Sequence, residues 1–197
     1  MDRSLVSTGR FLSLVLRHDP ARVGLVLDPA GWVAVDDLLE AMRRAGVALD
    51  RPLLERIVAE NDKRRFAFSP DGTRIRASQG HSVAVELGLE PRVPPPVLYH
   101  GTATRFLESI RRSGLRPGAR THVHLSRDEA TARNVGRRHG APVVLTVGAR
   151  EMHEAGHEFT CAENGVWLTR EVPAEYLGFP AGGDSVRSTG EESGRRG

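Results

Sequence analysis

Residues 120–126 read Arg-Thr-His-Val-His-Leu-Ser. Along an extended strand successive side chains point to opposite faces, so Arg120, His122, His124 and Ser126 fall on one face and Thr121, Val123 and Leu125 on the other. Arginine offers a planar fork of donors that matches phosphate, and imidazole donates, accepts or moves a proton near neutral pH. Serine adds a small donor and acceptor. Such a face suits a phosphorylated ligand; its plainer reading is a strand with one wet side.

Further groupings carry the same chemistry. Arg17-His18 ends an apolar run, where cations also offset the negative end of a helix dipole. Lys63-Arg64-Arg65 reads as a solvated charge run or a contact to a nucleic-acid backbone, and Gln79-Gly80-His81-Ser82 as a turn rich in donors. His100-Gly101-Thr102 follows an apolar stretch and brings imidazole, hydroxyl and a glycine that permits close ligand approach. Arg137-Arg138-His139 closes a second apolar pattern. His122-x-His124, with His153 and His157, has the spacing of metal ligands, but no carboxylate or cysteine stands beside the pair at ligand spacing, so no metal is expected.

These residues need elements to hold them. Leu5, Thr8, Leu12 and Val15 recur at helical spacing until Pro20, which predicts a helix with Arg17 and His18 in its last turn. Gly31-Trp32-Val33 predicts a short extended piece, Asp36 caps a helix carrying Leu38, Leu39 and Met42, and Asp50 with Pro52 opens a third. Arg65 to Phe68, an Asp71-Gly72 turn and Arg74 to Arg76 predict a β-hairpin. Helices followed by a hairpin suggest a winged-helix lobe over residues 1–90.

Pro91, Pro94, Pro95 and Pro96 make a stiff connector over 91–96. A second lobe, 97–180, has short apolar runs beginning at Val97, Val123, Val143 and Val166, with helices near 104–113 and 127–138. The fold class expected is therefore α+β. Ser126 and Glu129 have capping-box spacing for the second of those helices, and Gly140 ends it. Asn164-Gly165 reads as a turn, Trp167 as core, and residues 181–197 as a disordered tail.

Charge is unevenly placed. The chain has 28 Lys and Arg against 25 Asp and Glu, but residues 91–140 hold ten arginines against Glu108, Asp128 and Glu129. That local excess attracts polyanions such as nucleic acid or nucleotide phosphates. No run of 18 apolar residues and no charged leader ahead of an apolar stretch is present, which predicts a cytoplasmic protein. The single cysteine, Cys161, excludes an internal disulfide framework and reads as packing.

In order, LSLVLRHDP, GWVAVDDLL, ENDKRRF, IRASQGHS, LYHGT, RTHVHLS, RRHGAPVVL and ENGVWLT resemble the NAD-dependent RNA 2'-phosphotransferases, the Tpt1/KptA family, over about residues 4–178. The resemblance implies a winged-helix lobe joined to a C-terminal lobe with the ADP-ribosyltransferase fold. It also implies a reaction in which an internal RNA 2'-phosphate attacks the nicotinamide ribose of NAD and expels nicotinamide. The ribose 2''-hydroxyl then attacks the phosphorus, leaving 2'-hydroxyl RNA and ADP-ribose 1'',2''-cyclic phosphate.

By the same resemblance the essential Arg-His pair falls on Arg17 and His18, with further phosphate-binding arginines at Arg65 and Arg120. His100, Gly101 and Thr102 match the first motif of the ADP-ribosyltransferase fold, and His124 with Ser126 its second. Arg138, Asn164 and Val166 complete the expected NAD site, Val166 standing where many ADP-ribosyltransferases have glutamate. NAD is a co-substrate, the partner is RNA bearing a 2'-phosphate, and a monomer is expected. Fungal relatives act at a tRNA splicing junction. The alternatives are an ADP-ribosyltransferase that caps terminal phosphates of RNA or DNA, and a winged-helix binder without catalysis.

Overall fold

The computed structural model describes residues 3–61 and 64–180; the expected tail at 181–197 and Lys63 lie outside the described residues. Two hydrophobic clusters organise the chain, one built from residues between Leu5 and Ala77 and the other from residues between Leu98 and Val172.

In the first, α1 (Arg3–Arg17) buries Leu12, Val15 and Leu16, the stripe its periodicity predicts. A 3-10 turn at Pro20–Val23 follows, capped by Asp19, whose carboxylate accepts from the Arg22 amide. Strand β1 (Val33–Ala34) leads into α2 (Val35–Arg44), and α3 (Arg51–Ala59) is capped by Asp50, which accepts from the Leu53 amide. Asp36 is not the cap of α2. It lies in the first turn, because β1 carries the chain straight into the helix and the Val35 amide donates to the Thr73 carbonyl instead. The hairpin of β2 (Phe66–Phe68) and β3 (Arg74–Ala77) joins β1 in an antiparallel sheet of order β1-β3-β2, with Ile75 buried between Val33 and Phe68.

The second cluster is enclosed by two antiparallel sheets. One has the order β4 (Leu98–Ala103), β6 (Pro142–Val147), β9 (Leu177–Gly178); the other has β5 (Val123–Leu125), β8 (Trp167–Thr169), β7 (Thr160–Cys161). Helices α4 (Leu107–Ser113), α5 (Glu129–Gly136) and α6 (Ala149–Glu154) connect them. Phe159, Leu98, Leu145 and Met152 have no solvent exposure, and Trp167 is core as expected. A backbone bridge between Tyr99 and Ser126, each amide donating to the other's carbonyl, ties the two sheets together. Residues 91–96 run along an edge of the second sheet, where Pro91 bridges Thr160 and the Arg92 amide donates to the Phe159 carbonyl.

The alternation over 120–126 holds only for β5, where Val123 and Leu125 are buried and His124 faces the other way. Residues 120–122 bend instead, because the Arg120 amide closes a turn on Pro117 and the Thr121 amide donates to the His81 carbonyl. Ser126 does not cap α5: Asp128 does, accepting from the Thr131 amide, while Ser126 is held in the bridge to Tyr99. Gly140 follows the 3-10 turn Arg137–His139 that ends this helical segment. Among the described residues no helix is long and apolar enough to cross a membrane.

Candidate active site

Four arginines far apart in sequence come together. Arg17, the last residue of α1, donates from Nη2 to the Arg65 carbonyl at 3.2 Å, and Arg65 in turn reaches Asn61 Oδ1. Burial and the charges of Arg65 and Arg120 pull the Arg17 pKa down to about 10. Burial and the Arg138 charge lower the pKa values of both Arg65 and Arg120. Among the described residues no carboxylate stands within ion-pair distance of any of the four. Like charges held together without a counter-ion oppose folding. Arg17 Nε is also buried without a partner, so the cluster offers donors that suit an anion with several acceptor oxygens.

Imidazoles surround it. Arg120 Nη1 donates to His124 Nδ1 at 2.8 Å. A guanidinium can only donate, so the His124 proton sits on Nε2. The His124 carbonyl accepts from His100 Nδ1 at 3.1 Å, which leaves His100 Nε2 as a free acceptor. Burial, then Arg120 and Arg17, take the His124 pKa to about 3, and burial lowers that of His100. His18 follows α1 directly and shares a 3.0 Å hydrogen bond between its Nδ1 and Ser82 Oγ. Burial and the Arg17 and Arg120 charges depress its pKa.

The segment Gln79–Ser82, expected only as a turn, is the strut between these parts. The Ser82 amide donates to the Arg17 carbonyl, and a side chain at Gly80 (φ +87°) would meet Arg17 Nη1 at 3.6 Å and His124 Nε2 at 4.0 Å. His81 is 1% exposed, with Nε2 unpaired. The mixture of amide, glycine, imidazole and hydroxyl was the signal for this segment, but nothing local showed that it would be wedged between Arg17 and His124.

The other expected site residues divide. Gly101 is covered by α5, and Thr102 beside it is 5% exposed. Asn164 Oδ1 accepts from the Val166 amide, closing the β7–β8 turn. Beside it, Glu163 lies 3.5 Å from Arg76 Nη2; that guanidinium also donates to the Leu87 carbonyl and stacks on Trp32. Serine at 126 contributes its backbone to the bridge that sets His100 against His124. His122 turns to Thr121 Oγ1 and is not brought into the cluster. Among the described residues no three His, Cys, Asp or Glu side chains gather as a metal ligand set.

The histidine shifts give a pH prediction. His81 is held down to about 4, by burial first and then by Arg17, His18 and Arg76, and His124 to about 3. The unfolded chain titrates near 6.5, so it binds more protons than the folded one below that pH. Stability is complete above 6.5 and falls with pH towards 4, by up to about 1.4 kcal/mol per pH unit for each such histidine. Urea unfolding at pH 7.5, 6 and 5 measures this. His81→Gln should flatten the slope by about one proton's worth, and an unaltered slope would show that His81 is not buried neutral.

Converging guanidinium groups with neutral imidazoles, assembled from two separately packed parts of a chain of mixed helices and strands, make a donor set of the kind phosphate recognition uses. A family model described as "RNA 2'-phosphotransferase, Tpt1 / KptA family" matches residues 3–171. The chain belongs to that family. A "Probable RNA 2'-phosphotransferase" of Pseudomonas aeruginosa PAO1 is 59% identical over 179 residues, covering 90% of this chain and 98% of the relative. Proteins of the same name from Agrobacterium fabrum and Escherichia coli O6:K15:H31 are 58% and 54% identical, over 87% and 89% of this chain and 92% and 96% of theirs.

Proposed function

We propose that the protein removes an internal 2'-phosphate from RNA by transferring it to NAD. The observation that carries this reading is the cluster of Arg17, Arg65, Arg120 and Arg138 with no carboxylate among the described residues to neutralise it. On this reading the first lobe is a winged helix (1–90), residues 91–96 are the linker, and 97–180 form an ADP-ribosyltransferase-like lobe. The enzyme works as a monomer in the cytoplasm.

The chemistry follows from the groups present. In the first step a phosphate oxygen bonds to the ribose C1'' as the bond to nicotinamide breaks, its electron pair leaving with the ring. A phosphate dianion is already a nucleophile and needs no general base. Arg17, Arg65 and Arg120 hold it against the ribose and offset its charge. Valine at 166 fits that demand, since a carboxylate there would repel the phosphate. Glu163 nearby is engaged by Arg76. In the second step the ribose 2''-hydroxyl gives up its proton as its oxygen bonds to phosphorus, the bond to the RNA 2'-oxygen breaks, and that oxygen takes up a proton. His18, hydrogen-bonded to Ser82 and beside the arginines, is placed to move it.

Ribose hydroxyl and carboxamide groups need donors and acceptors together. His100 Nε2 supplies an acceptor and His124 Nε2–H a donor, from strands joined at the Tyr99–Ser126 bridge. Thr102, Ser126 and Arg138 would complete the hold on NAD.

The test is incubation with NAD and an oligoribonucleotide carrying one internal 2'-phosphate. Dephosphorylated RNA, free nicotinamide and ADP-ribose cyclic phosphate are expected. Accumulated ADP-ribosylated RNA would instead mark an enzyme that stops after the first step, and RNA bound but unchanged would mark a binding protein.

A further inference from the structure

Two grooves stand out among the described residues of the first lobe. The larger, about 910 Å³ between α2 and α3, is lined by charges already matched within their own helices, Arg43 to Glu40, Arg51 to Glu55 and Arg56 to Glu60. The smaller, about 580 Å³, runs between α1 and α3 and opens at one end onto Arg17, His18 and Arg65. Further along it stands Arg10, exposed and with no ion pair among the described residues. Arg10, Leu14 and Arg17 are spaced four and three apart and share one side of α1. Arg10 therefore lies about 10 Å along the helix from Arg17, a span that an adjoining nucleotide of the same strand covers. Among the described residues lining the groove the one carboxylate, Glu60, is held by Arg56 at 2.7 Å, which leaves Arg10 and Arg17 without a carboxylate partner there.

The floor adds a second observation. Gly9 sits inside α1, where glycine costs roughly 0.5–1 kcal/mol against alanine. Its φ is not in the left-handed region, and a Cβ there would meet only Ile57 Cγ2 at an ordinary 3.7 Å. Neither the backbone conformation nor the space for a Cβ requires glycine here, and its missing side chain leaves the groove wider beside Ile57. We infer that the groove seats the RNA strand flanking the 2'-phosphate, with Arg10 on a backbone phosphate and the apolar floor of Leu14 and Ile57 against sugar and base. This rests on the phosphotransferase reading and extends it to substrate length: the enzyme prefers a phosphate inside a strand over one on a dinucleotide.

The experiment compares kcat/KM for a dinucleotide and for a single-stranded decamer, each with one internal 2'-phosphate. The wild type should favour the decamer by about tenfold or more, and Arg10→Glu should lower that ratio about tenfold. Gly9→Leu, which fills the groove without touching charge, should lower it too. Decamer binding read by fluorescence polarisation should weaken about tenfold in Arg10→Glu, and in Arg10→Ala its log–log salt slope should fall by about 0.7. A ratio and an affinity unchanged in both Arg10→Glu and Gly9→Leu overturn the groove while leaving the enzyme intact. Failure of the wild type to turn over either substrate sinks the phosphotransferase reading instead, and the binding measurement then decides the groove alone.

Discussion

Replacing Arg17 or Arg120 by alanine is expected to lower turnover by about a thousandfold, the upper range for loss of one preorganised donor to a developing charge, while the protein stays folded. Arg17 explains the asymmetry. Its pKa of about 10 against the ordinary 12.5 means that the fold disfavours its charge, by on the order of 3 kcal/mol at neutral pH. Alanine removes that buried charge and loses the packing of the side-chain stem and the bond to the Arg65 carbonyl, so melting should move by only a few degrees in either direction. Arg120 is only partly covered and gives up one hydrogen bond, to His124. On the phosphotransferase reading, stability is given up at these positions for the hold on phosphate. Turnover of 2'-phosphorylated RNA, with thermal melting of the same preparations, tests this. A folded variant with wild-type activity would remove that arginine from the site.

Gly101→Ala should act through the fold and should be the more damaging change to stability. A Cβ at Gly101 would lie 1.7 Å from the Ala132 carbonyl oxygen and 2.9 Å from the Gly136 amide nitrogen, both backbone of α5. Gly136 mirrors it, since a Cβ there would sit 2.6 Å from the Thr102 carbonyl oxygen. Neither strand nor helix can yield cheaply: β4 is paired along its whole length to β6 and bridged to Ser126, and α5 packs on both strands. The expected loss is about 3 kcal/mol or more, roughly 10 °C in melting temperature for a chain of this size. Circular dichroism on heating measures it. If Gly101→Ala melted like the wild type but lost activity, the glycine would be a ligand cradle, as its place in His100-Gly101-Thr102 suggests, and not a packing residue.

How much was legible follows the range of the interactions. Asp50 as a cap, the Asp71-Gly72 turn, the helix that stops at Arg17 and the buried Val123 and Leu125 depend on neighbours within a few residues, and their residue types announce them. Asp36 and Ser126 are not caps because the chain at each is engaged from a distance first, the Val35 amide by the Thr73 carbonyl and the Ser126 backbone by Tyr99. The strand expected from Arg120 lost its first residues for the same reason, the His81 carbonyl drawing Thr121 aside.

The chain by itself determined the chemistry on offer: arginine forks for phosphate, imidazoles able to hold or release a proton, and the ordered motifs that mark the family. Residue type sets donor geometry and charge wherever the residue ends up. Only the tertiary structure decided which of them meet. It drew positions 17, 65, 120 and 138 together, put the Gln79–Ser82 strut among them, turned His122 away and set α5 against Gly101. Those outcomes come from burying two hydrophobic cores, a force without sequence address. It can press like charges together, and so leave a place shaped for the anion that relieves them.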